Sequence, residues 1–297
     1  MANLSKSELL DRIIQAINAS GWNIFYDQGL SSHPFKPRIY KDNQIRRLKI
    51  YIWNISHGGG HKRPTDEYRI QVKVPRFEPE QGWQILILGW WEDGQVFAGF
   101  DYRKHSGDIG WSASFQIKRE ALEKATINGF APSDKGNREI AIAFRPDFFA
   151  EYAGHVSAFH SLGESRSDLE VLEIIASDQR QLANDEIIQQ VSHPRQTAFQ
   201  TIRRTLRDHS FKARVLTAYS RRCAFCDIQL NLIEAAHIVP VSHEASTDET
   251  RNGIALCALH HKAYDSALVT FNESYQTVSS REKLERLRNY LKTHETV

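Results

Sequence analysis

All three cysteines of this 297-residue chain lie within one segment near its C-terminus. Cys223 and Cys226 form a C-x2-C pair, and Cys257 and His260 form a C-x2-H pair further along. Zn²⁺ prefers four tetrahedral sulfur or nitrogen ligands, and a spacing of this kind lets one turn supply two of them. The segment therefore predicts a structural zinc site made of these four residues. The odd number of cysteines argues against a disulfide framework.

Three further residues lie among these pairs, although a purely structural zinc site does not need them. His237 precedes Ile-Val-Pro, Asn252 precedes a glycine, and His261 directly follows the predicted ligand His260. This order resembles that of the HNH endonucleases, and the resemblance covers roughly residues 198–280. It implies a ββα-metal fold, in which a short β-hairpin and a helix surround one catalytic metal, braced here by the zinc.

The resemblance also implies a role for each of these residues. His237 is expected to be the general base that takes a proton from the attacking water, and Asn252 to fix the loop through its side-chain amide. His261 is expected to bind the catalytic metal, Mg²⁺ or Mn²⁺. The apolar spacing of residues 254–266 favours a helix, which would place His261 and Asp265 on one face. Asp265 is therefore the second predicted ligand.

One position departs from the family pattern. Many members carry an aspartate immediately before the general base, whereas this chain has Ala236. Asp265, Asn252 or Glu234 can fill the missing place in the metal shell. The departure leaves a competing hypothesis open, a zinc-braced DNA-binding protein with an inactive centre. A homing or phage-type HNH nuclease is a further alternative, with the same centre and a different target.

The composition is that of a soluble globular protein, with 41% hydrophobic and 25% charged residues. No stretch approaches the roughly 18 apolar residues of a spanning helix, and the N-terminus lacks the features of a signal peptide. We therefore expect a cytoplasmic protein without a membrane partner. The net charge is only +2, so affinity for double-stranded DNA must come from local patches of cations.

The sequence predicts an α+β fold with two domains. The pattern Ser5-x-x-Glu8 is a capping box before an amphipathic helix over residues 6–20. Alternating apolar residues then predict strands, and the domain is expected to be a mixed α/β recognition domain with an antiparallel sheet. The predicted boundaries are a recognition domain at 1–160, a polar linker at 161–196 and the zinc-braced nuclease domain at 197–297. A charged helix after Ser279 can pack on the nuclease domain or pair with a second copy, and we predict a homodimer.

Two basic segments are candidate DNA contacts. A helical region from Thr197 carries seven cations between residues 203 and 222, against the single acid Asp208. These cations are Arg203, Arg204, Arg207, Lys212, Arg214, Arg221 and Arg222. A glycine-rich loop ends in His61, Lys62 and Arg63, which can meet phosphate. For both segments the simpler alternative is a solvated surface.

Aromatic residues of the N-terminal domain suggest a way to read DNA. Strand alternation sends Trp90 and Trp91 to opposite faces of the sheet, so at least one of them should lie away from the core. An exposed indole can hold a base flipped out of a duplex by stacking. The alternative is ordinary core packing. A recognition domain before an HNH module is similar to the arrangement of restriction-type HNH endonucleases, including those that attack modified DNA.

Overall fold

The structure is a computed structural model of the chain. It describes residues 3–26, 28–57, 64–177, 189, 191, 193–230, 232–272, 276–279 and 285. The chain forms two compact units, Met1–Leu206 and Arg207–Val297, and the division falls within one long helix.

The first unit is built around a seven-stranded sheet with the strand order β1-β2-β3-β6-β7-β10-β9. These strands are β1 Asn23–Phe25, β2 Arg38–Lys41, β3 Gln44–Asn54, β6 Gln84–Trp91, β7 Val96–Phe100, β9 Phe130–Asp134 and β10 Ile140–Phe144. All neighbouring pairs are antiparallel except β3 and β6, which run parallel. The expected antiparallel sheet is thus confirmed, with one parallel pair where the chain leaves the sheet between β3 and β6.

Both faces of the central strands are covered. A second sheet contains β4 Ser56–His57, β5 Glu67–Gln71 and β8 Ser114–Lys118. The helices of the described part of this unit are α1 Lys6–Ala19, α2 Arg119–Asn128, α3 Phe149–Ser161 and α4 Arg166–Ser177, followed by α5 Gln196–Ala218. Residues of α1, α3 and α4 share one core with one face of the large sheet. The small sheet and α2 share a second core with the opposite face.

The side chains of β3 show how the two cores arise. Leu48, Ile50 and Ile52 are fully buried in the first core, whereas Tyr51 and Trp53 belong to the second. This alternation is the one that the sequence predicts, because successive residues of a strand point to opposite faces. The helix α1 also begins as predicted, since the Glu8 carboxylate and the Ser5 side chain cap each other's backbone amides. No helix in the described parts of the chain is long and apolar enough to cross a membrane.

Part of the segment predicted as a linker is packed structure. Helix α4 buries Leu169, Val171, Leu172 and Ile175 in the first core. These residues recur at helical spacing, so they form one apolar face that needs a covering surface. The polar residues of the segment lie between them and gave the stretch its linker-like composition. The first unit accordingly extends to Leu206.

The second unit contains a hairpin and a short helix. Strands β11 Ile233–His237 and β12 Gly253–Cys257 pair antiparallel, and α6 Ala258–Asp265 follows directly. The helix expected over residues 254–266 is therefore wrong for its first turn, because residues 254–257 form β12 and are buried on both faces. A second hairpin follows, β13 Val269–Phe271 with β14 Thr277–Ser279. The helix predicted after Ser279 falls almost entirely outside the described residues.

Candidate active site and zinc centre

The four predicted zinc ligands converge on one point. Their four donor atoms all lie within 4.8 Å of one another. Cys226 Sγ is 3.8 Å from Cys257 Sγ, and His260 Nδ1 is 3.4 Å from Cys223 Sγ and 3.3 Å from Cys257 Sγ. Tetrahedral zinc with bonds of about 2.3 Å to sulfur and about 2.05 Å to nitrogen spaces its ligands by roughly 3.5–3.8 Å. The cluster therefore fits a zinc ion.

Backbone hydrogen bonds hold the cysteines of this cluster in position. The Cys223 carbonyl accepts from Asp227 N, and the Ala224 amide donates to the Ala255 carbonyl, which holds the Cys-x2-Cys turn against β12. Cys223 and Cys257 are buried, whereas Cys226 is exposed. Burial alone raises the pKa of a thiol, but backbone hydrogen bonds outweigh it and lower the pKa of Cys223 to about 6. A thiol that loses its proton this readily is suited to bind a metal.

The predicted general base is held in place on two sides. His237 ends β11, and its Nε2 lies 3.1 Å from Oδ1 of Asp248. Its ring stacks on Phe211 of α5, with centroids 3.9 Å apart and planes 8° from parallel. Gly253 pairs with His237 across the hairpin. A Cβ on Gly253 would lie 2.1 Å from Cγ2 of Val215 and 3.0 Å from Phe211, so the glycine is needed for α5 to approach.

Asp248 is the residue that sequence reasoning does not single out. Its Oδ2 accepts from Arg207 Nε at 2.8 Å, and its backbone carbonyl accepts from Arg214 at 2.6 Å. Partial burial would raise the pKa of Asp248, but its hydrogen bonds with Arg207 and His237 outweigh that effect, and the pKa lies below its ordinary value. Asp248 lies in an irregular loop without a fixed spacing to His237, so no sequence pattern marks it.

Asn252 fixes the same loop from inside. Its Oδ1 accepts from Val239 N at 2.8 Å, and its Nδ2 donates to the Thr247 carbonyl at 2.8 Å. The side chain is buried, and these two hydrogen bonds connect Val239 with Thr247 within the loop between β11 and β12. This geometry is the one expected for a loop-fixing asparagine. With its amide oxygen and nitrogen used in this way, Asn252 is a poor candidate for a metal ligand.

The predicted metal ligand His261 lies between two carboxylates. Its Nδ1 is 2.5 Å from Oε2 of Glu234 on β11, and its Nε2 is 3.7 Å from Oδ2 of Asp265, one turn along α6. The hydrogen bond with Glu234 and the charge of Asp265 raise the pKa of His261 above its ordinary value, although burial opposes this. Ala236 is buried and offers no ligand atom. Among the alternatives for the missing carboxylate, the structure favours Glu234 and Asp265.

The seven cations predicted to bind DNA, on α5 and just after it, separate into three groups. Arg203 is buried, because it shares the inward face of the helix with Phe199 and Leu206. It is thus not a surface cation, contrary to the prediction. Arg207 and Arg214 contact Asp248 as described, so they support the loop between β11 and β12. The remaining cations lie on the surface or are half-buried: Arg204, Lys212, Arg221 and Arg222. Arg222 contacts Asp227 at 2.9 Å.

Trp90 and Trp91 of the N-terminal unit are buried and not available for stacking. Trp90 and Trp91 do point to opposite faces, but Trp90 is buried in one core and Trp91 in the other. Trp90 donates from Nε1 to Glu92 and packs on Phe97. The expectation that one of the two lies away from the core is therefore wrong, because both faces of the sheet are covered. The loop cations His61, Lys62 and Arg63 lie outside the described residues.

Comparison with known families agrees with this geometry. Residues 223–272 match the family described as HNH endonuclease, and residues 46–153 match the family described as methylase-associated X1. No curated protein matches the chain. The C-terminal unit therefore contains an HNH endonuclease domain, and the resemblance drawn from the zinc pairs and the His, Asn, His series is confirmed.

Proposed function

We propose that this chain, with an HNH endonuclease domain in its C-terminal unit, is a restriction-type endonuclease that hydrolyses phosphodiester bonds of double-stranded DNA. The observation that carries the proposal is the placement of two distinct histidine sites on one ββα element. Strand β11 bears both His237 and Glu234, and α6 bears His261 and Asp265.

The charges around each histidine support different roles. The carboxylate of Asp248 beside His237 is paired with Arg207, while Arg214 binds the backbone carbonyl, so the negative charge is already compensated by Arg207. His261 lies between two carboxylates, and this side is suited to a cation. We therefore assign His237 as the general base and His261, with Glu234 and Asp265, as the metal site.

The contacts of His237 with Asp248 and Phe211 indicate which of its ring nitrogens takes the proton of the attacking water. Ionised Asp248 can only accept a hydrogen bond, so the hydrogen of the neutral imidazole lies on Nε2 and the lone pair on Nδ1. His237 Nδ1 is thus the atom that takes the proton from the attacking water, and Phe211 keeps the ring from turning. When bound, Mg²⁺ or Mn²⁺ supplies positive charge that polarises the phosphate and stabilises the leaving oxygen.

A restriction role is supported by the N-terminal match. A region described as methylase-associated, placed before a nuclease domain, fits an enzyme whose action depends on the methylation of its target. The thiolate zinc site fits a reducing cytoplasm. One HNH centre per chain also fits a homodimer, because two centres are needed to cut both strands in one binding event.

One plasmid experiment tests these proposals. Supercoiled plasmid from methylating and non-methylating hosts is incubated with the protein and Mg²⁺, Mn²⁺ or chelator. We expect metal-dependent cleavage that differs between the two plasmids. Linear product formed without a nicked intermediate would support the homodimer.

The variant His237→Ala should lose about 10²–10⁴ in rate, the usual contribution of a general base. The matched control is His243→Ala, an exposed histidine of the same loop whose imidazole Nδ1 accepts from Ala245 N. Ala236, in place of the usual aspartate, is the reason to test whether the centre is inactive. Metal-dependent cleavage by the unmodified chain would exclude an inactive centre, and absence of cleavage would support a zinc-braced DNA-binding protein instead of an endonuclease.

A further inference from the structure

A cavity of about 490 Å³ opens in the first unit, at the end of the large sheet where β6 begins and β7 ends. These antiparallel strands bring Gln84, the first residue of β6, to the same end as Asp101 and Tyr102, which directly follow β7. Helix α3 contributes Val156 to the lining, next to a break in its helical geometry at His155. The cavity has the size of a ligand site, about 300–1,000 Å³. It shares no lining residue with the proposed nuclease centre.

The charged groups that line the cavity are paired within the protein. The buried carboxylate of Asp101 accepts two hydrogen bonds from Arg103, at 3.0 and 2.9 Å. The carboxylate of Glu80 lies 2.7 Å from Lys36 and 3.6 Å from Lys49. An ionic ligand would have to compete with these pairs, so the cavity is suited to a neutral molecule.

Rings and aliphatic side chains form much of the remaining lining. Trp83 and Tyr102 are partly exposed and line the cavity together with Ile85 and Val156. Lys36, which does not line this cavity, lies over the Trp83 ring at 4.9 Å from its centre and holds the indole in its orientation. Flat ring surfaces of this kind stack on planar heterocycles, and the aliphatic groups favour a methyl substituent.

One polar side chain of the cavity is oriented by the protein. Gln84 Nε2 donates to the Ala153 carbonyl at 2.6 Å, two residues before the break in α3. The amide oxygen is therefore the atom that Gln84 offers to a ligand, as an acceptor. Cytosine and adenine each carry an amino group that donates a hydrogen bond. The neutral charge, the ring surfaces and this acceptor together match a nucleobase.

We infer that this cavity, defined by Trp83, Gln84, Tyr102 and Val156 and called the base cavity, holds a methylated cytosine or adenine rotated out of a DNA duplex. The base stacks against the rings of Trp83 and Tyr102, and its amino group donates to Gln84 Oε1. The methyl group contacts Val156. Stacking and burial offset the cost of taking the base out of the duplex. The inference rests on the proposed function, since it takes methylated DNA as the ligand.

Binding is measured with the full chain carrying His237→Ala, so that cleavage plays no part. The probes are DNA duplexes copied from one long template with ordinary nucleotides, with 5-methylcytosine or with N6-methyladenine. Burial of one methyl group should favour one methylated duplex over the unmodified duplex by about fourfold. Adding Trp83→Ala should weaken binding of that duplex about tenfold and abolish the preference, because the base then stays in the duplex.

Matched variants separate stacking from folding. Trp83→Phe keeps a ring and should retain most of the preference, whereas Gln84→Leu keeps a side chain of similar size without the acceptor and should lose it. The control is Trp111→Ala, which removes an exposed tryptophan of the same unit that does not line the cavity. All six tryptophans lie in the first unit, so their fluorescence reports its folding. If Trp83→Ala unfolds, the test is made with Gln84→Leu.

Equal binding of all three duplexes by the His237→Ala chain would overturn the inference. A preference that persists in a folded Trp83→Ala or Gln84→Leu variant would do the same. Binding of a free methylated nucleoside without any preference among the duplexes would also overturn it, because the ligand would then be a small molecule and not DNA. Failure of the proposed function is seen separately, as absence of metal-dependent cleavage by the unmodified chain.

Discussion

The hydrogen bond between Asp248 and His237 gives the sharpest test of the catalytic assignment. We expect Asp248→Asn to inactivate the centre although it removes no atom from the loop. An asparagine has one acceptor oxygen, whereas Asp248 uses two, one for His237 and one for Arg207. The single oxygen should turn to Arg207, because a hydrogen bond from a charged donor is roughly twice as strong as a neutral one. The amide NH2 then faces His237 Nε2.

The increase in activation free energy caused by Asp248→Asn can be worked out. An NH2 group facing Nε2 favours the tautomer with its hydrogen on Nδ1, and the competing bonds differ by about 1 kcal/mol. Loss of the carboxylate also removes its attraction for the imidazolium that forms. For charges about 5 Å apart at an effective dielectric of about 20, this is on the order of 3 kcal/mol. Together they give about 4 kcal/mol, so the cleavage rate should fall about 10³-fold.

The assay is single-turnover cleavage of supercoiled plasmid, with zinc content as the check on folding. The matched control is Asp227→Asn, an exposed aspartate of the same unit that contacts Arg222. The double variant with His237→Ala distinguishes a positioning role from a structural one. If Asp248 acts through His237, adding Asp248→Asn to His237→Ala should cost nothing further. A fully active Asp248→Asn, or additive losses in the double variant, would refute the reasoning.

Two further predictions concern stability. Cys226→Ser should lose zinc and destabilise the second unit, because metal binding supplies much of the folding free energy of such a site, while tryptophan fluorescence of the first unit stays unchanged; full zinc content by elemental analysis would contradict it. Burial would raise the pKa of Glu139, but its bonds with His105 and Lys135 lower it from 4.5 to about 2. Its contribution of about 3 kcal/mol should be present above pH 4.5 and be lost as the pH falls towards 2. Urea unfolding followed by tryptophan fluorescence should therefore give Glu139→Gln a lower free energy of unfolding than the unmodified chain at pH 7 and an equal one near pH 2. A difference in free energy that does not depend on pH would exclude ionisation of Glu139 as its cause.

The zinc cluster could be predicted because its determinants are local, since two short cysteine and histidine pairs restrict which backbone turns can meet at one ion. The hairpin is expected from the resemblance to the HNH endonucleases, whereas the apolar spacing alone predicts a helix in place of β12. The capping box of α1 is local in the same sense. A short apolar run is less informative: residues 254–257 are compatible with a strand or a helix, and only their burial on both faces decides.

The contacts that hold His237, the proposed general base, could not be predicted in this way. Asp248 meets His237 only because Arg207, Arg214 and Asn252 together fold the intervening loop, and each contact spans a different sequence distance. The basic composition of α5 also does not show that its arginines have different environments. Arg203 is buried on the inward face and Arg207 supports the loop, although both belong to the same run of cations.

Alternation along a strand gives the face to which a side chain points, but it does not tell whether that face is covered. Trp90 and Trp91 follow the alternation and are both buried, because helices cover one face and a second sheet with α2 covers the other. Arg47 precedes Tyr51 on the same face of β3, yet it is exposed because the second core ends before it. Phe25 and Arg38 on β1 and β2 are exposed for the same reason, because neither residue is covered by the second core.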